Sequence, residues 1–161
     1  MGMTTFATPS PPVLDLLFNA ANLFVLPFWA LMVIVPKWSV SQKILSSPWP
    51  FAALAGLYLY LFVTVDSGTA AAFSDPQLSL ATLAGLFAQP HVMATGWVHF
   101  LVMDLFVGRW IYFQGLEQDV FTRHSLVLCL FAGPLGLLVH LTTQGIVQWR
   151  RQGILVQDSQ G

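Results

Sequence analysis

Four long apolar stretches, each bounded by prolines, charges or short polar loops, organise this chain. They run over about 13–35, 50–65, 93–113 and 125–147, and a helix needs about 20 mainly apolar residues to cross hydrocarbon. The first is entered after Pro9, Pro11 and Pro12 and stops at Pro36. The second, the shortest, lies between Ser47-Pro48-Trp49-Pro50 and Asp66-Ser67-Gly68. The fourth ends ahead of Arg150 and Arg151. A further apolar segment at about 78–90 is too short to cross; it follows Ser74-Asp75-Pro76 and closes at Pro90, which reads as an interfacial helix. The predicted fold is all-α: a polytopic integral membrane protein, one domain over 1–161, with a four-helix transmembrane bundle and one short interfacial helix.

Polar residues inside these stretches are few and fall at helical spacing. Asp15, Asn19 and Asn22 share one face of the first span, and Gly133, Gly136, His140, Thr143 and Gln144 share one side of the fourth. The third span carries His99, Asp104 and Arg109. Each central charge costs roughly 2.5–3.5 kcal/mol on insertion scales, so such residues turn toward a bundle interior or a polar cavity. Antiparallel alternation brings Asn19, Asn22, His99 and His140 to one layer. That layer predicts a polar pocket opening on the non-cytoplasmic side, with the 78–90 helix at its mouth. The two asparagines serve either as interhelical glue or as pocket lining. Asp104, near mid-membrane on a face with Phe100, Gly108, Ile111 and Gly115, is either a structural carboxylate paired across helices or a protonated acid. Arg109 is expected to snorkel to the cytoplasmic headgroups. His91 and His124, near span ends, are expected to face solvent.

Composition supports the membrane reading. The chain is 56% hydrophobic and 8% charged with mean hydropathy +0.71, whereas soluble domains carry about 25% charged residues. A net charge of −1 excludes a broad basic face for nucleic acid. The single cysteine, Cys129, gives no intrachain disulfide and no thiolate zinc site. With no His-x-x-x-His and no glutamate in the spans, neither metal nor cofactor is expected. His99 with His140 leaves a minor alternative of bis-histidine ligation to a b-type haem. Residues 1–12 show no basic leader region and no myristoylation signal. Lys37, Lys43, Arg109 and Arg123 outnumber Arg150 and Arg151, so the positive-inside rule sets both termini opposite the cytoplasmic loops. The six tryptophans mostly fall near span ends, as an aromatic belt would.

Several strings resemble one known family. They are Trp97-Val98-His99 and Asp104-Leu105-Phe106-Val107-Gly108-Arg109-Trp110 in the third span, Phe18-Asn19-Ala20-Ala21-Asn22 with Leu26-Pro27-Phe28-Trp29 in the first, and Gly133-Pro134-Leu135-Gly136 in the fourth. The chain resembles the abscisic-acid-deficient-four, neoxanthin-synthase-like family over most of its length, as a cyanobacterial-type member without a transit peptide. The resemblance implies a small four-span protein of thylakoid or plasma membranes in a photosynthetic organism, tied to conversion of violaxanthin to neoxanthin. Opening an epoxide to an allene is redox-neutral and needs one acid and one base. The expected roles are Asp104 as acid, His99 or His140 as base, and Asn19, Asn22, Trp97 and Arg109 on the carotenoid substrate. The alternative is a non-catalytic small subunit or assembly factor of a photosynthetic membrane complex, with its expected partners other subunits and membrane lipid.

Overall fold

Prolines open the longer helices, because a proline lacks an amide donor and suits the first helical turn. The structure, a computed structural model, describes residues 11–158, with side chains followed as far as Gln152; the readings made on residues 1–10, Pro9 included, lie outside them. Pro12 opens α1 (Pro12–Ile34), Pro50 stands in the first turn of α3 (Trp49–Val63), and Pro90 opens α6 (Pro90–Gln118). Between α1 and α3 lies α2 (Ser39–Ser46), and between α3 and α6 lie α4 (Ser67–Phe73) and α5 (Leu80–Phe87). The chain ends with α7 (Arg123–Phe131) and α8 (Gly133–Asp158).

Among the described residues, three stretches are long and apolar enough to cross a membrane: α1, the α2–α3 pair over Ser39–Val63, and α6. The second begins well before residue 50, broken at Ser47-Pro48, where the helix hydrogen-bond ladder cannot continue. α6 is the central element and packs against α1, α3, α5, α7 and α8. Its inward face is Val98, Leu105, Gly108, Ile111 and Tyr112, meeting Val25, Trp29 and Met32 of α1. A Cβ at Gly108 would come within 2.5 Å of the Trp29 ring, so the glycine is what lets the indole approach α6.

The short helix expected at about 78–90 is α5, but its cap is Ser79, whose hydroxyl accepts from the Thr82 amide at 3.1 Å. Pro90 starts the next helix rather than ending this one. A second short helix, α4, was not anticipated; Asp66 caps it by accepting from the Thr69 amide at 2.9 Å. Hydrogen bonding from Thr69 holds the Asp66 carboxyl below the usual aspartate range.

The largest departure is the region about 125–147, expected to be one crossing helix. It is a helical hairpin. Ala132 alone separates α7 from α8, and the two pack antiparallel: His124 meets Thr143 at 3.0 Å, and Gly136 lies on the backbone of Cys129. Gly133-Pro134 breaks the helix here, since Pro134 cannot donate to a continuing one, and the packing of Gly136 on Cys129 makes the break a reversal. The hairpin tip sits beside Asp104, midway along α6, while both open ends lie beside the end of α6. Among the described residues, the fold is thus three apolar stretches long enough to cross and a hairpin that turns back beside Asp104, where a fourth crossing helix was expected. The face read on the fourth segment is real, but it is spent against α7 and α6.

One consequence concerns charge. Gln118 accepts from Gln144 at 2.6 Å and its carbonyl from Arg151 at 2.7 Å, so the C-terminal helix leaves at the end that holds Lys37 and Arg123. All six lysines and arginines now lie in or beyond one half of the molecule, the basic end. The sequence reading had set Arg150 and Arg151 on the far side.

Candidate functional site

Breaking two helices at mid-height leaves backbone groups with no partner inside their own helix. The two charged residues of α6 meet those ends. At the tip, the Gly133 amide donates to the Asp104 carboxylate, and a Cβ on Gly133 would stand 2.7 Å from the Asp104 Cγ. Asp104 thus places negative charge at the N-terminus of α8, where the helix dipole is positive. The Cys129 thiol reaches the Asp104 carbonyl at 3.6 Å, closing the hairpin against α6.

Arg109 does the converse. Its Nε donates to the Leu45 carbonyl at 2.5 Å and its Nη2 to that of Ser46 at 3.4 Å, at the C-terminus of α2. The guanidinium lies between the rings of Phe51 and Phe113, at 5.5 and 5.2 Å from their centroids. It does not snorkel outward; it is held inside the break that Pro48 creates. Sequence reasoning missed this because the break lay outside the expected second span.

Asn22 and Trp97 are brought together. The indole Nε1 donates to Asn22 Oδ1 at 3.0 Å, the Asn22 amide donates to the Phe18 carbonyl at 2.8 Å, and the rings of Phe18 and Trp97 sit 5.9 Å apart. This is the interhelical-glue reading, tying α1 to α6. Asn19 is exposed beside this pair.

His99 and His140 are not brought together. His99 lies on the outer surface of α6, its ring 5.6 Å from Tyr58 and 6.2 Å from Phe100. His140 is buried in the basic half, edge-on to Trp110 at 5.5 Å. Neither of its ring nitrogens, nor the buried Ser125 hydroxyl, has a partner among the described residues. The expected layer of Asn19, Asn22, His99 and His140 is absent because the hairpin reverses α8 and carries His140 toward the other end. Nor do the two imidazoles face one another across a slot for a haem. His91 and His124 do not simply face solvent: His91 bonds the Leu61 carbonyl at 2.8 Å, and His124 stacks on Phe121 at 5.6 Å.

The clefts also differ from expectation. The larger, about 1060 Å³, opens at the basic end, and a smaller one of about 470 Å³ at the opposite end is lined by Tyr60, Gln89 and His91. None of the four layer residues lines either.

A different arrangement runs up the seam of α3 and α6. Phe51 and Tyr58 are seven residues apart on α3, and His99, Phe106 and Phe113 are seven apart on α6, so each set shares a face. Phe51 packs edge-on to Phe106 at 6.0 Å, and the Tyr58 ring lies 5.6 Å from His99 and 5.8 Å from Phe62. From His99 to Phe113 the track is about 21 Å long at 1.5 Å per residue. Arg109 closes one end, and Tyr58 with His99 supplies exchangeable protons near the other.

Over residues 16–140 the chain matches the ABA DEFICIENT 4-like family. It is 36% identical over 136 residues to the protein ABA DEFICIENT 4, chloroplastic, of Arabidopsis thaliana. The match takes in 81% of this chain and spans 61% of the length of that relative. No solved structure matches.

Proposed function

The chain belongs to the ABA DEFICIENT 4-like family, and from that premise we propose that it binds a xanthophyll within a photosynthetic membrane and isomerises it from epoxide to allene. The observation that carries this reading is the aromatic track on α3 and α6. A rod-like polyene lies along Phe51, Phe106 and Phe113, where flat rings give large apolar contact at fixed geometry. The polar end ring then falls beside Tyr58 and His99.

Chemistry at that end needs a proton given to the epoxide oxygen and one taken from the polyene carbon; no electrons are gained or lost. Tyr58 and His99 are the pair positioned for this, His99 as the base of the first reading. Asp104, first assigned as the acid, acts instead as a positioning residue through the hairpin tip, and Arg109 fixes α2 beneath the track. Asn22 and Trp97 hold α1 against α6 rather than touching substrate. Asn19, and the buried His140, stand away from the track.

In the membrane, α1, the α2–α3 pair and α6 cross, and the α7–α8 hairpin enters and leaves from the basic side. The positive-inside rule then puts the end that holds Lys37, Lys43, Arg123, Arg150 and Arg151 on the cytoplasmic or equivalent face.

The test is expression in a host that accumulates violaxanthin, followed by pigment extraction. New neoxanthin that is lost in His99→Phe, at unchanged protein level, supports the reading. Unaltered conversion by His99→Phe and Tyr58→Phe sinks the assignment of this pair. Co-purification with a large complex and no conversion at all favours a non-catalytic subunit.

A further inference from the structure

The cleft at the basic end has features that the carotenoid reading does not use. It lies between the α1–α2 turn and the α6–α7 turn. Lys37 and Arg123 stand in its walls from these two turns, and Val35, Leu116 and Val120 make the rest largely apolar. Arg123 spends one nitrogen on the Ile34 carbonyl at 3.3 Å, and Lys37 makes no ion pair among the described residues. Asp119 is the one acidic side chain in the lining and pairs with neither cation.

A second observation points at a ligand. Thr122, also in the lining, is only 8% exposed, and its hydroxyl finds no partner among the described residues. Thr122 stands at the start of α7 yet does not cap it, so the first amides of a nine-residue helix are left without a side-chain acceptor. Helix N-termini with free amides favour anions. Two cations, an unused hydroxyl and uncapped amides converge on one cleft, and the charge it seeks is negative.

The apolar walls say what carries that charge. A small free anion has no use for Val35, Leu116 and Val120, whereas an acyl glycerol backbone does. Trp38, 52% exposed, and Phe121, 67% exposed, flank the cleft in the manner of interfacial aromatics. We propose that this cleft binds the anionic headgroup of a membrane lipid, with Lys37 and Arg123 on the headgroup, Thr122 and the start of α7 beneath it, and the chains running up the outside of α1 and α6. The site is independent of the aromatic track.

The experiment uses the full chain in a mild uncharged detergent, exposed in parallel to dioleoyl phosphatidylglycerol, dioleoyl phosphatidylcholine and inorganic phosphate. Native mass spectrometry reads retained lipid, and thermal melting reads stabilisation. Phosphatidylglycerol should be retained in preference to phosphatidylcholine. Lys37→Gln should cut that preference roughly fivefold, the worth of one cation at an anionic surface. Lys43→Gln, at the same end but outside the cleft, should leave it unchanged, and Thr122→Val should weaken it with the fold intact. Equal retention of the two lipids overturns the proposal, as does an effect of Lys43→Gln equal to that of Lys37→Gln. Stabilisation by inorganic phosphate equal to that by phosphatidylglycerol overturns the lipid as occupant.

Discussion

The carboxylate of Asp104 accepts the backbone N–H of Gly133, joining the midpoint of α6 to the first residue of α8. The bond sits where the chain reverses in apolar surroundings. There an amide without a partner costs on the order of a few kcal/mol. A carboxylate here serves two ends at once: it satisfies the amide, and it matches the positive end of α8.

An acceptor, rather than a charge as such, is what the tip requires. Asp104→Asn keeps an acceptor and should lower stability only slightly, whereas Asp104→Leu should cost about 1–2 kcal/mol, as loss of a helix cap does. Thermal melting in detergent measures both. If Asp104 were instead a reacting acid, Asp104→Asn would abolish pigment conversion at full stability, so the two readouts separate the roles.

The hairpin itself depends on backbones in contact. A Cβ at Gly136 would lie within 2.5 Å of the Cys129 Cα, where only main chain could give way. Gly136→Ala should therefore destabilise by about 1–3 kcal/mol or more, the usual cost of overpacking. Gly56 and Gly145 have open space where a side chain would go. Their alanine variants should melt at or above the parent temperature, since alanine favours a helix by roughly 1 kcal/mol over glycine. Similar losses at all three positions would mean that the α7–α8 contact is not the tight one described.

Much of this arrangement was legible in the sequence, and what was not has a specific physical reason. Hydropathy pointed to α1, α6 and the short α5, because apolar length is a property of the residues alone, while Pro90, expected to close α5, opens α6. The 3.6-residue period correctly grouped Gly133, Gly136, His140, Thr143 and Gln144 on one side. It said nothing about direction of travel. A Gly-Pro pair in an apolar run is compatible with a kink or with a full reversal, and only the packing of Gly136 on Cys129 distinguishes them. That one turn moved His140 from the expected layer into the basic half. It also turned Arg150 and Arg151 from exceptions to the charge bias into part of it. The string Asp104 to Arg109 drew attention as chemistry because charges in apolar helices are costly. The structure accounts for that cost through two broken helix ends.

Arg109 should not tolerate its nearest chemical relative. Its fork reaches two carbonyls of α2 while its plane lies between Phe51 and Phe113. A lysine offers a point charge without that planar stacking. Arg109→Lys should lose about 1–2 kcal/mol, from weakened cation–π contacts and one missing carbonyl bond. Arg109→Leu, leaving both carbonyls bare, should lose more. Melting of the two variants against the parent protein checks the order. Equal stability of Arg109→Lys and parent would show that only the charge matters.

The hairpin makes a prediction about sidedness that a fourth crossing helix would reverse. With three crossings and a returning hairpin, Lys37, Arg123 and Gln152 lie on one side of the membrane, and Ser74, between α4 and α5, lies on the other. With four crossings, Gln152 would join Ser74. Single cysteines at these four positions, in a Cys129→Ala background, can be labelled by an impermeant maleimide in sealed vesicles of known orientation. Cys129 is fully buried, and its removal deletes one sulfur and a weak 3.6 Å contact, so the background protein should fold. The expected result is that positions 37, 123 and 152 label together from the cytoplasmic or equivalent face, with position 74 protected until the vesicles are opened. The charge distribution argues for the same outcome: with Arg109 held inside the bundle, Lys37, Lys43, Arg123, Arg150 and Arg151 at one end satisfy the positive-inside bias, whereas moving Arg150 and Arg151 to the other side opposes it. Labelling of position 152 from the side of position 74 would refute the returning hairpin, and with it the placement of Asp104 at its tip.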